Sequence, residues 1–306
     1  MFDTDKIYKR MLRYRMKGLL LKDAPMTRET SIRIGGPADI LFFPDNIAET
    51  VKVVKLCRRE KIPLTVLGCG TNILVRDGGI RGIVIKLTEM RGLRREKDHI
   101  FAGAGMKLSD VCEYAMSERL SGLEFACGIP GSVGGAVCMN AGAYGKEIKD
   151  IVYRSVVLDP NGDIGLYDNG KHDFSYRRSV FQKNGSIVLE TEFSLEASRA
   201  EAISSTMDEY KAKREASQPV GEPSAGSVFK RPVKEGVYVG PMVEACGLKG
   251  SCAGGAGVSD KHAGFIVNKG GATAADVLTL IERVREAVRK RYAIELETEI
   301  RVIGED

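Results

Sequence analysis

The sequence contains no tryptophan, only 3 histidines, and no CxxC pair among its 7 cysteines. Without Trp, and without a basic stripe interleaved with aromatics, it has no stacking platform for bases, so nucleic acid is not an expected partner. His99, His172 and His262 do not combine with the cysteines at 57, 69, 112, 127, 138, 246 and 252 into any zinc-ligand spacing, and no metal is expected. An odd cysteine count in a chain of 306 residues argues against a disulfide framework. Reduced, buried structural thiols in a cytoplasmic protein are the expectation. No apolar run approaches the ~18 residues that span a bilayer, and the N-terminus lacks an apolar core with a cleavage site. No membrane partner is expected. Charge is nearly balanced, 46 Lys and Arg against 41 Asp and Glu, and the excess of +5 is dispersed, which favours acidic small molecules as ligands.

What is abundant is glycine. Residues 127–145, CGIPGSVGGAVCMNAGAYG, are rich in it and carry no charged side chain. Each Gly costs about 1 kcal/mol in a helix interior relative to Ala and Pro130 costs more, so the stretch is bare backbone rather than an ordinary helix. Gly128, Gly131, Gly134 and Gly135 allow positive φ and expose N–H groups, as a nest around a phosphate requires. A helix starting at Ser132 would direct its N-terminus at the same anion. Gly134 in particular is expected to admit the ligand where a Cβ would not. A small-residue packing segment is the alternative reading of the same composition.

The remainder reads as mixed elements. Expected are an amphipathic helix over 4–21, two short strands within 31–43, a helix over 47–60 with Asn46 as N-cap and Glu49 three residues on, and a buried strand in PLTVLG. Further helices are expected over 107–120, 200–214 and from Thr273, which with Asp276 makes a capping pair. That last helix has Val277, Leu280, Ile281, Val284 and Val288 as its core stripe. Strands are expected at 151–158, 164–167, 187–196 and 294–303. GCGTNI lacks the third Gly of a dinucleotide fingerprint and is followed by turn and strand. GLYDNGKH has His172 where a P-loop needs Ser or Thr, and reads as a hairpin turn. No regular βαβ rhythm appears, so the class is α+β.

GIPGSVGG followed by MNAGAYG resembles the flavin-binding core of the MurB family, the UDP-N-acetylenolpyruvoylglucosamine reductases. TSIRIGGPAD (30–39), VLGCGTNILV (66–75), YRRSVF (176–181), PSAGSVFKRP (223–232) and TEIRVIG (298–304) extend the resemblance, in the family's order, over nearly the whole chain. It implies a two-lobed FAD-binding unit of the PCMH type followed by an α+β substrate-binding domain. Residues 1–95 would form the first lobe, 96–205 with 293–306 the second, and 206–292 the substrate domain. It also implies non-covalent FAD, NADPH as hydride donor, and UDP-N-acetylglucosamine enolpyruvate as substrate, in the branch without the tyrosine loop.

By motif position, Ser227 matches the serine that protonates the substrate α-carbon, and Arg177 and Glu299 match the pair that stabilises the enolate. A Glu beside a carboxylate must be protonated or share its proton. On spacing alone Arg178 and Glu297 remain alternatives. Cofactor contacts are implied for Gly68, Cys69, Gly70, Thr71, Asn72, Gly128, Ile129, Pro130, Gly131, Ser132, Gly134, Gly135, Asn140, Ala141 and Gly142. Cys69 and Thr71 stand where the family has Gly and Ser. Arg214, Lys230, Lys249 and Asn268 are candidates for the substrate's phosphates and uridine.

Overall fold

A computed structural model describes residues 3–232 and 236–306. They form two compact units, each assembled from separated stretches. The first takes in the chain up to Lys22, Asp39–Cys69 and Gly82–Lys213; the second Asp23–Ala38, Gly70–Arg81 and Arg214–Asp306. This is not the expected division near 95, 205 and 293. The reason lies in strand pairing: Arg301–Ile303, expected to return to residues 96–205, runs parallel to Ile73–Val75. Only those three residues of the expected 294–303 strand form a ladder.

The first unit holds helices α1 (Thr4–Arg13), α2 (Ile47–Glu60), α3 (Leu108–Ser117), α4 (Val133–Cys138), α5 (Phe181–Asn184) and most of α6 (Ala200–Ser217). Its largest sheet is antiparallel, in the order Ile164–Asp168, Val152–Leu158, Ile187–Ser194, His99–Gly103, Leu93–Glu96. Val111, Cys112 and Ala115 of α3 and Val133, Ala136 and Val137 of α4 are buried in one continuous apolar core. The small residues of α4 serve this packing.

α1 is shorter than its periodicity suggests. Asp3 caps it through Lys6 N at 3.0 Å, but Arg15 enters the left-handed region at φ 47° and Leu19–Pro25 is a strand. Gly18 permits the reversal, since a Cβ there would lie 2.2 Å from the Phe43 carbonyl oxygen. Asn46 does cap α2, accepting from Glu49 N at 3.0 Å. The Glu49 carboxylate, however, turns away from a capping box to accept from Lys17 N, Gly18 N and Asp45 N at 2.5, 3.1 and 3.0 Å. It fastens the turn that ends α1. In the 31–43 stretch only Pro37–Phe43 is a strand, because Thr30 Oγ1 bonds both Ile34 O and Ile34 N and closes residues 30–34 into a loop.

GLYDNGKH is not the hairpin turn. That turn is Asp159–Asp163, where Asp159 Oδ1 accepts from Asn161 N and Asp163 N, each at 2.8 Å. Gly165 lies in the strand Ile164–Asp168, and Asn169–His172 is a short 3-10 turn. His172 is fully buried, with Nδ1 donating to Asp168 O at 2.7 Å and Nε2 2.9 Å from Ser155 Oγ. Burial pushes its pKa below the usual 6.5. The unfolded chain therefore binds the proton more readily, so stability from this site is full above pH 6.5 and is lost as pH falls towards the folded value. We expect the melting temperature to drop as pH falls below 6.5, and His172→Asn to flatten that dependence; thermal melts at several pH values check it.

The second unit holds α7 (Val239–Ala245), α8 (Ala274–Tyr292) and an antiparallel sheet ordered Ser224–Ser227, Phe265–Asn268, Ala256–Val258, Cys252–Ala253. Val277, Leu280, Ile281, Val284 and Val288 are all buried in its core, as their spacing requires. Thr273 and Asp276 close a capping box. Asp77 adds a second cap from elsewhere in the chain, its carboxylate accepting from Ala274 N at 2.8 Å and Ala275 N at 3.1 Å. Asp77→Ala should cost about 1–2 kcal/mol, since it orphans two helix N–H groups and removes an anion from the positive helix end. Urea unfolding followed by circular dichroism measures it.

Among the described residues no group of His, Cys, Asp or Glu is placed to hold a metal ion, and no helix is long and apolar enough to cross a membrane. None of the seven cysteines is in a disulfide. Burial was expected for them; Cys57, Cys112 and Cys127 are buried, but Cys252 is exposed and the others are intermediate. Burial pushes Cys57 up to about 12, so it is an inert thiol.

Candidate functional site

In the first unit the glycine-rich stretch is pinned by its own backbone. Gly131 O accepts from Leu108 N, Val133 N donates to Met106 O, and Gly134 N donates to Ala104 O, at 3.0, 2.9 and 2.9 Å. Ser132, 1% exposed, is the N-cap of α4 and accepts from Gly135 N at 3.4 Å. What approaches Gly134 is therefore protein: a Cβ there would lie 3.0 Å from Ala104 Cβ and 3.3 Å from Ala104 O. Gly68 is likewise filled, its missing Cβ lying 2.1 Å from Ser132 Oγ. These two glycines lock turn 68–69 and α4 onto their neighbours. Gly135 differs, because a Cβ there would meet only Ser132 Oγ at 3.4 Å. Gly128, Ile129 and Gly131 are half-buried and Pro130 is exposed, so a strip of small residues remains at the surface of this unit. Such a strip fits a bound pyrophosphate. Cys69 lies beside it, half-buried; burial pushes its thiol up, against the pull of Lys86 and Lys107.

Past α4, Asn140 is fully buried at φ 42°, while Ala141 N donates to Ala136 O at 2.9 Å. Gly142 O accepts from Arg177 Nη2 at 3.0 Å. Arg177 occupies a tight turn closed by Ser175 N to Arg178 O and Arg178 N to Ser175 O, both 3.0 Å. Its φ of 55° is the left-handed region, which a long side chain adopts at a cost of about 1–2 kcal/mol.

In the second unit, residues 227–230 and 297–299 run side by side. Glu299 N donates to Val228 O at 2.8 Å, Lys230 N donates to Glu297 O at 2.9 Å, and Phe229 bridges Thr298. The backbone segments that carry Ser227 and Glu299, 72 positions apart in sequence (299 − 227), are thereby neighbours. Ser227 Oγ donates to Phe229 O at 3.2 Å, a long bond that a better acceptor could take over. Glu297 pairs with Lys230 Nζ at 2.5 Å.

Asn72 holds Glu299 in place: its Nδ2 donates to Glu299 O at 3.2 Å, and Arg301 N donates to Asn72 O at 3.0 Å. One of its amide hydrogens is thereby spent within the chain. Gly70, at φ 70°, is required by the Glu29 carbonyl oxygen, which would lie 2.2 Å from a Cβ; its neighbour Thr71 puts a carbonyl oxygen 3.9 Å from the Cβ position of Gly226.

The expected substrate contacts separate in the same way. Asn268 is spent within the chain, with Nδ2 donating to Ile32 O at 3.0 Å and Oδ1 accepting from Gly270 N at 2.9 Å. Lys249 sits in a surface pair with Glu244 at 3.1 Å, an interaction a ligand can displace. Arg214 Nε is buried without a hydrogen-bond partner. An orphaned guanidinium N–H fits an anion supplied by a ligand.

His262 was not singled out by the sequence. Its Nδ1 accepts from Gly264 N at 3.1 Å, and burial lowers its pKa. The empty Cβ position of Gly264 lies 2.9 Å from His262 Cε1 and 3.7 Å from Ser227 Oγ, which places the imidazole on the serine's side of the sheet. Its one sequence signal is scarcity, as one of three histidines and three residues before a strand.

Two family models match the chain. One, described as FAD binding domain, covers residues 38–165, and the other, described as UDP-N-acetylenolpyruvoylglucosamine reductase, C-terminal domain, covers 218–303. A UDP-N-acetylenolpyruvoylglucosamine reductase of Clostridium botulinum is 46% identical over 94% of this chain and 93% of its own. One of Listeria innocua is 47% identical over 92% and 94%. The crystal structure of the Thermus caldophilus reductase superposes with a TM-score of 0.79 at 34% identity, covering 94% of this chain and 99% of that one.

Proposed function

The chain belongs to the UDP-N-acetylenolpyruvoylglucosamine reductase family, and from that premise we propose that Ser227, Arg177 and Glu299 carry its chemistry. It is an FAD-dependent oxidoreductase that uses NADPH to reduce UDP-N-acetylglucosamine enolpyruvate to UDP-N-acetylmuramate, a peptidoglycan precursor. When bound, FAD would supply the hydride chemistry that reduces the enol ether at its β-carbon, with NADPH as the source of the hydride.

Charge then develops at the α-carbon and spreads into the adjacent carboxylate. The Arg177 guanidinium binds that carboxylate and opposes the new charge with fixed donors. Glu299 shares a proton with it, so that two carboxyl groups can face each other without both being ionised. Ser227 Oγ gives its proton to the α-carbon, a task within reach of so weak an acid only because the acceptor is a carbanion. Gly128, Ile129, Gly131 and Gly135 offer backbone to the cofactor, and Arg214 offers its unpaired Nε to a substrate phosphate.

The observation that supports this reading is the pairing of 227–230 with 297–299, which runs the backbone segments that carry Ser227 and Glu299 alongside each other. In the rival reading, an FAD-dependent alcohol oxidase, a base would be needed where Ser227 stands. The purified protein should be yellow, and it should oxidise NADPH only when UDP-N-acetylglucosamine enolpyruvate is added. Oxidation of an alcohol without NADPH would overturn the assignment.

A further inference from the structure

We infer that Asn140 is a positioning residue for Arg177, acting through the turn that carries it and not through the cofactor; the inference rests on the role given to Arg177 above. Asn140 Nδ2 donates to Ser175 O and to Glu147 Oε2, each at 3.0 Å, and Oδ1 accepts from Lys149 N at 2.9 Å. Both amide hydrogens are thus spent within the chain. The orientation is dictated by the partners: a flipped amide would set Oδ1 against a carboxylate and a carbonyl, and Nδ2 against an N–H. Its φ of 42° is one that Asn tolerates better than most residues.

Ser175 is the first residue of the turn whose third residue is Arg177, and its carbonyl accepts from both Asn140 Nδ2 and Arg178 N. Three further bonds run from the same region. Gln182 Nε2 spans Cys138 O and Arg177 O at 3.0 and 3.1 Å, and Gly142 O receives Arg177 Nη2. Residues 138, 140 and 142 therefore hold the Arg177 turn at three points, and Asn140 is the one that does so by a side chain. A planar guanidinium fork recognises a carboxylate only in register, so a loosened turn misplaces it.

Asn140→Asp is nearly isosteric but, when ionised, turns two donors into acceptors facing Ser175 O and Glu147. It should keep full flavin content and an NADPH-driven bleaching rate within about two-fold of wild type, while substrate-driven return of colour slows about ten- to a hundred-fold with a raised KM. The defect should shrink as pH falls, because a protonated carboxyl regains one donor. In an Arg177→Lys background, where the fork is gone, the same substitution should change colour return less than about two-fold. Loss of flavin or slowed bleaching would make Asn140 a cofactor contact, and equal slowing in both backgrounds would make it independent of Arg177. Either result overturns the inference. If Arg177→Lys alone leaves colour return unchanged, it is the role of Arg177 that fails. Asn140→Ser, uncharged and judged by the same criteria, replaces Asn140→Asp should that chain not fold.

Discussion

Ser227→Ala should leave NADPH-driven bleaching of the bound flavin near wild type and slow the substrate-dependent return of colour by about 10²- to 10⁴-fold. The asymmetry follows from where charge appears. No substrate carbanion exists while NADPH reacts, so a hydroxyl placed to protonate one has no task in that half of the cycle. In the second half, the enolate left after hydride delivery has no proton source and can return the hydride. Substrate affinity should change little, since a single hydroxyl is worth about 1 kcal/mol. Among the described residues Ser227 Oγ bonds only the nearby Phe229 carbonyl, at 3.2 Å, so its loss should barely touch stability. Stopped-flow traces of the two halves decide the matter. Equal slowing of both would assign Ser227 to cofactor positioning, and unchanged colour return would remove it from the chemistry.

Arg177→Gly should lower kcat/KM with little change in stability. Two opposing effects meet in the fold. Glycine relieves the left-handed φ of 55°, worth about 1–2 kcal/mol, while the bond from Nη2 to Gly142 O, about 0.5–1.5 kcal/mol, and the guanidinium's place over the Tyr176 ring, about 0.5–1 kcal/mol, are lost. The net change should stay within about 1 kcal/mol of zero. Activity has no such offset. Each hydrogen bond from the guanidinium to the substrate carboxylate is worth about 1.5–3 kcal/mol, so losing one costs about ten- to a hundred-fold and losing a bidentate pair more. Yellow colour and the urea midpoint should both be retained. A variant that keeps its activity would show the strained turn to be a structural accident, and Arg178 would become the residue to test.

The elements legible in the sequence were those whose signals are local. The capping box of Thr273 and Asp276, the Asn46 cap and the stripe from Val277 to Val288 each lie within a few turns of one helix, and all stand as read. The bareness of residues 128–135 was equally plain, because glycine advertises itself wherever it falls. Motif order carried the choice of Ser227, Arg177 and Glu299.

The sequence by itself determined that the chain is α+β, that a charge-free glycine segment sits near its middle, and which hydroxyl, guanidinium and carboxyl were candidates. The tertiary structure alone decided which polar side chains the chain spends on itself. Asn72 is bound to Glu299, Asn140 to Ser175 and Asn268 to Ile32, partners 227, 35 and 236 residues away. Gly68 and Gly134 are filled by Ser132 and Ala104, whereas Gly135 is left open. The physical reason is that an amide has two hydrogens and a missing Cβ leaves one small space. What takes them is set by how distant strands and turns come into register, and composition carries no record of that register.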